Sequence, residues 1–320
     1  MTTSTPRSLS DESGFTLIEV MVTTGILMAV SAIVMSGVLE MSQLNGTITN
    51  RSQMFAGVRN ATALLQQEVG QAGRVTVTGS PTLQADVIAG VNTVNVSFAS
   101  NMYVGENITV GTGDTAETVT ITDIVGGAAI TANFLNPHAN TTPVTVQGAF
   151  AAGVVPPSPG TGGAAPGFPN GSTDWVLKIF GDINGTGNMV YVEYTCDIPN
   201  KLLYRNQMPW DKAGKVAPTV DQILVENVEP NPNNAPCFSY QTKTVGPTTY
   251  VIGVAITLTV RSQDMDPITK KYQKESKALL NVSPRNVFNA WELASLNVTN
   301  RVQPTPPSIT ALLPPVQPVQ

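Results

Sequence analysis

The chain has 320 residues, enough for more than one compact unit, and a formal net charge of −5 at pH 7. No run of lysine and arginine occurs, which argues against nucleic-acid binding, where a basic face is expected. Only 12% of the residues are charged, and there are one histidine and two cysteines. This composition argues against an enzyme, and its abundant Gly, Pro, Thr, Val and Asn favour strands and turns.

The long apolar stretch of the chain lies near the N-terminus, in FTLIEVMVTTGILMAVSAIVMSGVLE. Residues 20–39 carry no charge and would measure about 30 Å as a helix, the thickness of the hydrocarbon core of a bilayer. No convincing small-residue cleavage site ends this run, which favours a retained transmembrane helix over a secretory signal. Glu19 lies directly against the run, although a lone carboxylate in hydrocarbon costs roughly 2.5 to 3.5 kcal/mol.

The sequence GFTLIEVMV resembles the processing site of type IV prepilins. The resemblance implies a leader of residues 1–14, cleavage between Gly14 and Phe15 by a prepilin peptidase on the cytoplasmic side, and methylation of the Phe15 amine. It also implies that Glu19 pairs with the N-terminal amine of a neighbouring subunit, because poorly solvated opposite charges attract strongly. An ordinary anchor with its glutamate at the membrane interface is the alternative. Leaders of this family usually carry Lys or Arg just before the glycine, where this sequence has Asp11 and Glu12.

Apolar residues continue at helical spacing beyond the membrane segment, at Leu44, Ile48, Phe55, Val58, Leu65, Val69 and Ala72. The pattern predicts one long helix within residues 15–73, ending near Gly70 and Gly73, with a membrane half and an amphipathic half that covers a sheet. A break at Gly46 into two helices is the alternative.

Short Thr/Val/Ile runs separated by Gly and Asn turns fill residues 85–150, which we call the β module. They predict a small antiparallel sheet. Its histidine, His138 in NPHAN, is interpreted as a loop residue and not as a ligand or base. Residues 151–173 are rich in Pro and Gly and are predicted to form a linker or an exposed loop.

A second series of strand-like runs occupies residues 174–286, which we call the headgroup. Their order is similar to the C-terminal sheet of PilW-like minor pilins and J-type minor pseudopilins, and NVSPRN, ending at Asn286, is similar to the close of such domains. The resemblance implies an α+β, pilin-like fold: a long N-terminal α-helix packed on an antiparallel β-sheet, with an additional small β module. The Pro-rich residues 302–320 are predicted to be disordered.

Cys196 and Cys237 both lie in the headgroup, which the anchor places outside the cytoplasm. Two cysteines in an oxidising compartment usually pair, so a disulfide is expected. A reactive thiol is the alternative, but no partner base is suggested nearby.

The segment DINGTGNMVYVE has the spacing of an EF-hand-like calcium loop, in which alternate side chains converge on one hard cation. The oxygen donors would be Asp182, Asn184, Thr186, Asn188 and Glu193. The favoured alternative is a Gly-rich hairpin turn, since VYVEY is typical of a strand where the calcium loop would be followed by a helix. No other cofactor is expected.

The leading hypothesis is a minor pilin or pseudopilin, a structural subunit of a type IV pilus or a type II secretion pseudopilus. It would cross the inner membrane once, with the headgroup outside the cytoplasm, before joining the filament. Its partners would be other pilin-like subunits, the prepilin peptidase and an inner-membrane assembly platform. The large headgroup favours a place at the tip or in the initiating complex. An adhesin-like tip subunit that binds through the β module is the alternative, and a membrane-anchored enzyme is a third with little support.

Overall fold

The computed structural model describes residues 14–158, 170–211 and 215–313. The fold is mixed α+β, a long N-terminal helix followed by antiparallel sheets, which confirms the predicted class. The helix, α1 (Leu17–Gln71), has 55 residues and runs through Gly46 without a break. It ends at Gln71 because the chain turns at Gly73, whose φ of +83° suits glycine and where a β-carbon would lie 2.9 Å from Val287.

Only the C-terminal half of α1 packs against the rest of the protein. Its buried apolar residues are Met54, Val58, Ala61, Leu65 and Val69, and Ala72, which follows the last helical residue, is buried as well. The predicted stripe is wrong at its start, since Leu44, Ile48 and Phe55 are 46, 64 and 37% exposed. Successive helical residues are about 100° apart around the axis. The face that begins with Met54 meets the sheets, and Phe55 therefore lies on its flank.

The β module contains a five-stranded antiparallel sheet with its own core. Its strands are β1 (Gly90–Asn95), β2 (Asn107–Val110), β3 (Glu117–Val125), β4 (Ala129–Phe134) and β5 (Val144–Val146), in the order β1-β4-β3-β2-β5. Along β3, Val119 and Ile121 point into this core while the alternating Thr118, Thr120 and Thr122 face solvent. The β3–β4 hairpin turns at Gly126 and Gly127, whose φ values of +62° and +69° suit a tight hairpin turn.

The headgroup is formed by two antiparallel sheets that share a core with α1. After β6 (Ala149–Phe150), the first headgroup sheet contains β7 (Val176–Gly181), β8 (Val190–Asp197), β9 (Leu202–Met208) and β10 (Ile223–Glu226), in the order β10-β9-β8-β7. The second contains β11 (Val228–Glu229), β12 (Phe238–Val245), β13 (Thr248–Arg261) and β14 (Lys274–Val282), and β13 pairs with the other three. The shared core includes Leu65 of α1, Leu177 of the first sheet and Val254 of the second.

The prediction of a disordered tail is wrong for residues 302–313. After α2 (Arg285–Ser295), β15 (Val302–Gln303) pairs in parallel with β6, and α3 (Pro307–Thr310) follows. Ile309 is fully buried in a cluster with Phe150, Phe180, Tyr191 and Trp210. Proline is compatible with this path because it fits the first turn of a helix. Residues 314–320 lie outside the described part of the chain.

The prediction of an exposed linker is also wrong for the described parts of residues 151–173. Val154 and Val155 are fully buried, and the Val155 amide donates to the Lys178 carbonyl at 3.0 Å. The Ser172 hydroxyl donates to the Val155 carbonyl at 2.7 Å. This stretch therefore covers the edge of β7, while residues 159–169 lie outside the described part.

Candidate assembly site

The predicted cleavage point lies just before α1. Gly14 has open space where a β-carbon would be, and the Phe15 side chain is 86% exposed. Both residues precede Leu17, the first residue of the helix. The bond between Gly14 and Phe15 is thus outside regular secondary structure.

Glu19 closes a capping box at the start of α1. Its Oε2 accepts from the Thr16 backbone N–H and from the Thr16 hydroxyl, both at 3.1 Å, and its own N–H donates to Thr16 Oγ1. A carboxylate at this end also complements the helix dipole. Sequence reasoning missed this contact, although the spacing in TLIE is its signature. Within one chain, Glu19 therefore has local partners at the point where α1 begins.

The side chains of residues 20–39 are exposed on every face of α1. The large ones include Met21, Ile26, Leu27, Ile33 and Met35, each at least 60% exposed. By length and composition this helix can cross a membrane. An exposed apolar surface of this length is not stable in contact with water. Lipid or other helices are needed to cover it.

A buried charge network joins α1 to the first headgroup sheet. Arg205 on β9 places Nε 3.0 and 3.1 Å from the two oxygens of Glu68, and the Tyr194 hydroxyl donates to the same carboxylate. Burial and then the Glu68 charge raise the pKa of Tyr194 far above its ordinary value, so it remains a donor. Burial acts to lower the pKa of Arg205, but Glu68 outweighs it and the pKa is raised. The sequence signal that could have predicted this network is a glutamate, Glu68, within the apolar stripe of α1, between Leu65 and Val69.

The end of α1 is capped from the headgroup. The Asn286 side chain donates to the carbonyls of Gln71 and Ala72 at 3.0 and 3.3 Å. The last carbonyls of a helix have no partner within it, so a donor from outside satisfies them. This contact gives the NVSPRN segment a physical role.

Cys196 and Cys237 form a disulfide. Cys196 lies on β8 and Cys237 immediately precedes β12, so the bond links the two headgroup sheets. Both residues are buried in the core beneath α1.

The predicted calcium loop forms the connection of the β7–β8 hairpin, in agreement with the turn interpretation. Asp182 is fully buried and accepts the N–H groups of Thr186 and Gly187 at 2.9 and 3.3 Å. Its Oδ2 also lies 3.6 Å from Nε of Arg74. Asn184 and Thr186 are exposed.

The remaining two proposed ligands are held elsewhere. Asn188 accepts from the Thr78 hydroxyl, and Glu193 on β8 accepts from the Tyr191 hydroxyl at 2.8 Å and lies 3.8 Å from Nζ of Lys178. The five donors therefore do not converge on one point. Among the residues that the structure describes, no three His, Cys, Asp or Glu side chains form a group that could hold a metal ion.

His138 is a buried residue of the β module, placed in the connection between β4 and β5. Its Nε2 lies 2.7 Å from Glu117, which also accepts the backbone N–H groups of Leu135 and Asn136. Burial acts to raise the pKa of Glu117, but these backbone and histidine contacts outweigh it and hold the pKa below its ordinary value. The arrangement fixes the connection in place.

Comparison with known proteins yields one match. A family model described as the prokaryotic N-terminal methylation motif matches residues 9–38. No curated protein and no solved structure matches the chain. The matched segment contains Gly14, Phe15 and Glu19 and continues into the exposed apolar half of α1. Together the match and the helix support a type IV pilin-like protein, a class whose members are membrane-associated subunits and structural proteins.

Proposed function

We propose that this protein is a minor pilin or minor pseudopilin of the PilW-like or J-type kind, a structural subunit of a type IV pilus or a type II secretion pseudopilus. The observation that carries the proposal is the methylation motif at residues 9–38, followed by a helix exposed in its first half and packed in its second. The exposed half fits a bilayer before assembly and neighbouring subunit helices afterwards.

Processing between Gly14 and Phe15 would free an amine one residue before the Thr16 cap. A prepilin peptidase would cut on the cytoplasmic side, and Phe15 would be methylated. In the filament, Glu19 would exchange its contacts with Thr16 for the amine of a neighbouring subunit. Opposite charges in a poorly solvated environment attract strongly, so this pair would set the register between subunits.

The size of the exported part supports a minor role. The β module and residues 302–313 pack beside the headgroup, through the aromatic cluster around Phe150, and so enlarge it. A bulky subunit is easier to place at the tip or in the initiating complex than at every position along a filament. An inner-membrane assembly platform would incorporate it there.

The test is incorporation into filaments in the native host. Sheared filaments should contain the wild-type chain, and Glu19→Ala should lower its amount in that fraction while its amount in membranes persists. Glu40→Ala, which removes the exposed carboxylate just after the apolar run, is the matched control and should leave incorporation unchanged. Absence of the wild-type chain from filaments and from assembly complexes would contradict the proposal.

A second candidate, an adhesin-like tip subunit, has one observation in its favour. A polar cleft of about 210 Å³ lies between the β module and the chain near Arg301. It is lined by Asn107, Thr109, Ala116, Glu117, Thr118, Gln147, Asn300 and Arg301. Under this hypothesis Arg301→Ala would abolish surface binding without lowering filament number, whereas Lys243→Ala, another exposed cation, would change neither.

A further inference from the structure

The β13–β14 connection, residues 262–273, reaches the helix at the point where α1 leaves its fully exposed half. Described residues of α1 before Gly46 are exposed, and Gly46 and Thr47 are half-buried. A β-carbon on Gly46 would lie 3.3 Å from Cγ of Pro267. The connection therefore packs directly on the helix backbone there.

The height of this contact above a bilayer follows from helix geometry. From residue 39, the end of the apolar run, to residue 46 the helix rises about 10 Å. The polar layer on each side of the hydrocarbon is about 5 to 8 Å thick. With residues 20–39 upright across the membrane, the contact at Gly46 thus lies about 2 to 5 Å beyond the outer boundary of the lipid headgroups, a gap that a methionine or isoleucine side chain on the connection can span.

The connection has a fixed shape. Asp266 is buried, and its Oδ1 accepts the N–H groups of Ile268 and Thr269 at 2.8 and 2.9 Å. The Asp266 N–H donates to the Lys271 carbonyl, and the Lys270 N–H donates to the Asp266 carbonyl, both at 2.9 Å. The Thr269 N–H is the main cause that lowers the pKa of Asp266, so its charge is internally satisfied.

The surface of the connection is amphipathic. Met265 and Ile268 are 54 and 51% exposed. Lys270 and Lys271 are also exposed, and Asp264 is the exposed acidic residue beside them. Apolar side chains bury readily at the boundary between lipid headgroups and acyl chains, and lysines are attracted to anionic lipid. A fixed shape keeps the ordering cost of such a contact low.

We propose that residues 264–271 rest on the phospholipid surface of the outer leaflet, with Met265 and Ile268 inserted between headgroups. The contact would hold the headgroup at a defined angle to the membrane before assembly. Extraction into a filament would break it. The inference rests on the membrane-spanning helix of the proposed function and goes beyond it, since a pilin-like anchor alone requires no second contact with lipid.

The test is spin-label accessibility in vesicles of phosphatidylethanolamine and phosphatidylglycerol containing the full chain. The two cysteines of the chain are paired, so an introduced cysteine can be labelled selectively. Ile268→Cys should show a higher ratio of oxygen to nickel-chelate collisions than Val91→Cys, a position that is 74% exposed on β1 of the β module, in the chain that follows the C-terminal end of α1. Removing phosphatidylglycerol should lower that ratio.

A third label separates the lipid contact of residues 264–271 from the insertion of α1 into the bilayer. Ser31→Cys lies within the apolar run and reports whether the helix is in the bilayer at all. A buried label at position 31 with a water-exposed label at position 268 would overturn the lipid contact and leave the anchor standing. Water exposure at both positions would overturn both. Protection at position 268 in filaments but not in vesicles would assign the surface to a neighbouring subunit and overturn the proposal.

Discussion

At the scale of single residues, the decisive positions are charges placed where water is excluded. Glu68 is 2% exposed and lies on the face of α1 that meets the first headgroup sheet. Arg205 and Tyr194 both donate to the Glu68 carboxylate, so each of the three side chains in this network has a partner. Removing one member of such a set strands the others, and this cost exceeds the net contribution of the intact pair.

We expect Glu68→Ala to lower the free energy of unfolding by about 3 kcal/mol, because Arg205 keeps its charge and loses its counter-charge, with only the neutral Gln207 side chain left to accept from it. Denaturant unfolding of the detergent-solubilised chain measures it. Glu226→Ala, an exposed glutamate of β10, should change the value by less than about 0.5 kcal/mol. The double variant Glu68→Ala, Arg205→Ala should lose less than the sum of the single variants. Strict additivity would show that the two residues are not coupled.

Glu106 of the β module makes stability depend on pH. It is fully buried, its Oε1 has no hydrogen-bond partner among the described residues, and burial raises its pKa from 4.5 to about 8. The folded pKa exceeds the unfolded one, so the folded protein holds this proton more tightly. The stabilisation is complete below pH 4.5 and is lost as pH rises through about 8.

The measurement is the free energy of unfolding between pH 5 and pH 9. The wild-type chain should lose on the order of a few kcal/mol across this range. Glu106→Gln, which keeps the shape without the charge, should remove most of that slope. An unchanged slope in the variant would assign the pH dependence to other groups.

At the scale of elements, the fold depends on contacts that tie distant segments together. The disulfide joins the two headgroup sheets, and residues 302–313 join the β module to the headgroup. Gln303 illustrates the second contact. Its side chain donates to the carbonyls of Asn107 and Gln147 at 2.8 and 2.7 Å and accepts from the Asn107 N–H at 3.0 Å.

Replacing both Cys196 and Cys237 by alanine should lower the free energy of unfolding by about 4 kcal/mol on the chain-entropy model, given their separation of 41 residues. Both must be replaced, since a single substitution leaves a buried thiol that can react. Denaturant midpoints of the oxidised wild type and the double variant provide the comparison. Equal midpoints would mean that the bond contributes nothing to stability.

Ile309→Ala should lower the free energy of unfolding by about 3 kcal/mol, because it opens a cavity in the aromatic cluster. Ile268→Ala is the matched control: the same substitution at a residue that is 51% exposed should cost less than about 0.5 kcal/mol. Thermal or denaturant unfolding checks both. Similar small effects for the two would show that the C-terminal segment is only loosely attached.

The sequence predicted elements whose signals are local. The long helix and the short strands depend on composition and spacing within the segment itself. The cysteine pairing was predicted on other grounds, from the presence of two cysteines in a part of the chain expected outside the cytoplasm. The burial of residues 302–313 could not be predicted in this way, because Ile309 is covered by Phe150 and Trp210 from distant parts of the chain. For the same reason the stripe of α1 was misplaced at Phe55, since the sheets, and not the helix, determine which face is covered.

At the scale of the whole molecule, the protein has two surfaces of opposite character. The first half of α1 is an exposed apolar rod, whereas the rest of the described chain is built on four packed cores. Such a chain is suited to two environments, a bilayer and a bundle of similar helices. The methylation motif at residues 9–38 stands at the start of the rod, where processing would prepare the chain for the second environment.

The most direct test of this account is mass spectrometry of the N-terminal peptide, isolated from membranes of the native host, for the wild type and for Gly14→Ala. The account predicts a mature N-terminus at methylated Phe15 in the wild type, absent or strongly reduced in the variant. An uncut leader in the wild type would contradict it, because Glu19 would then have no neighbouring Phe15 amine with which to pair.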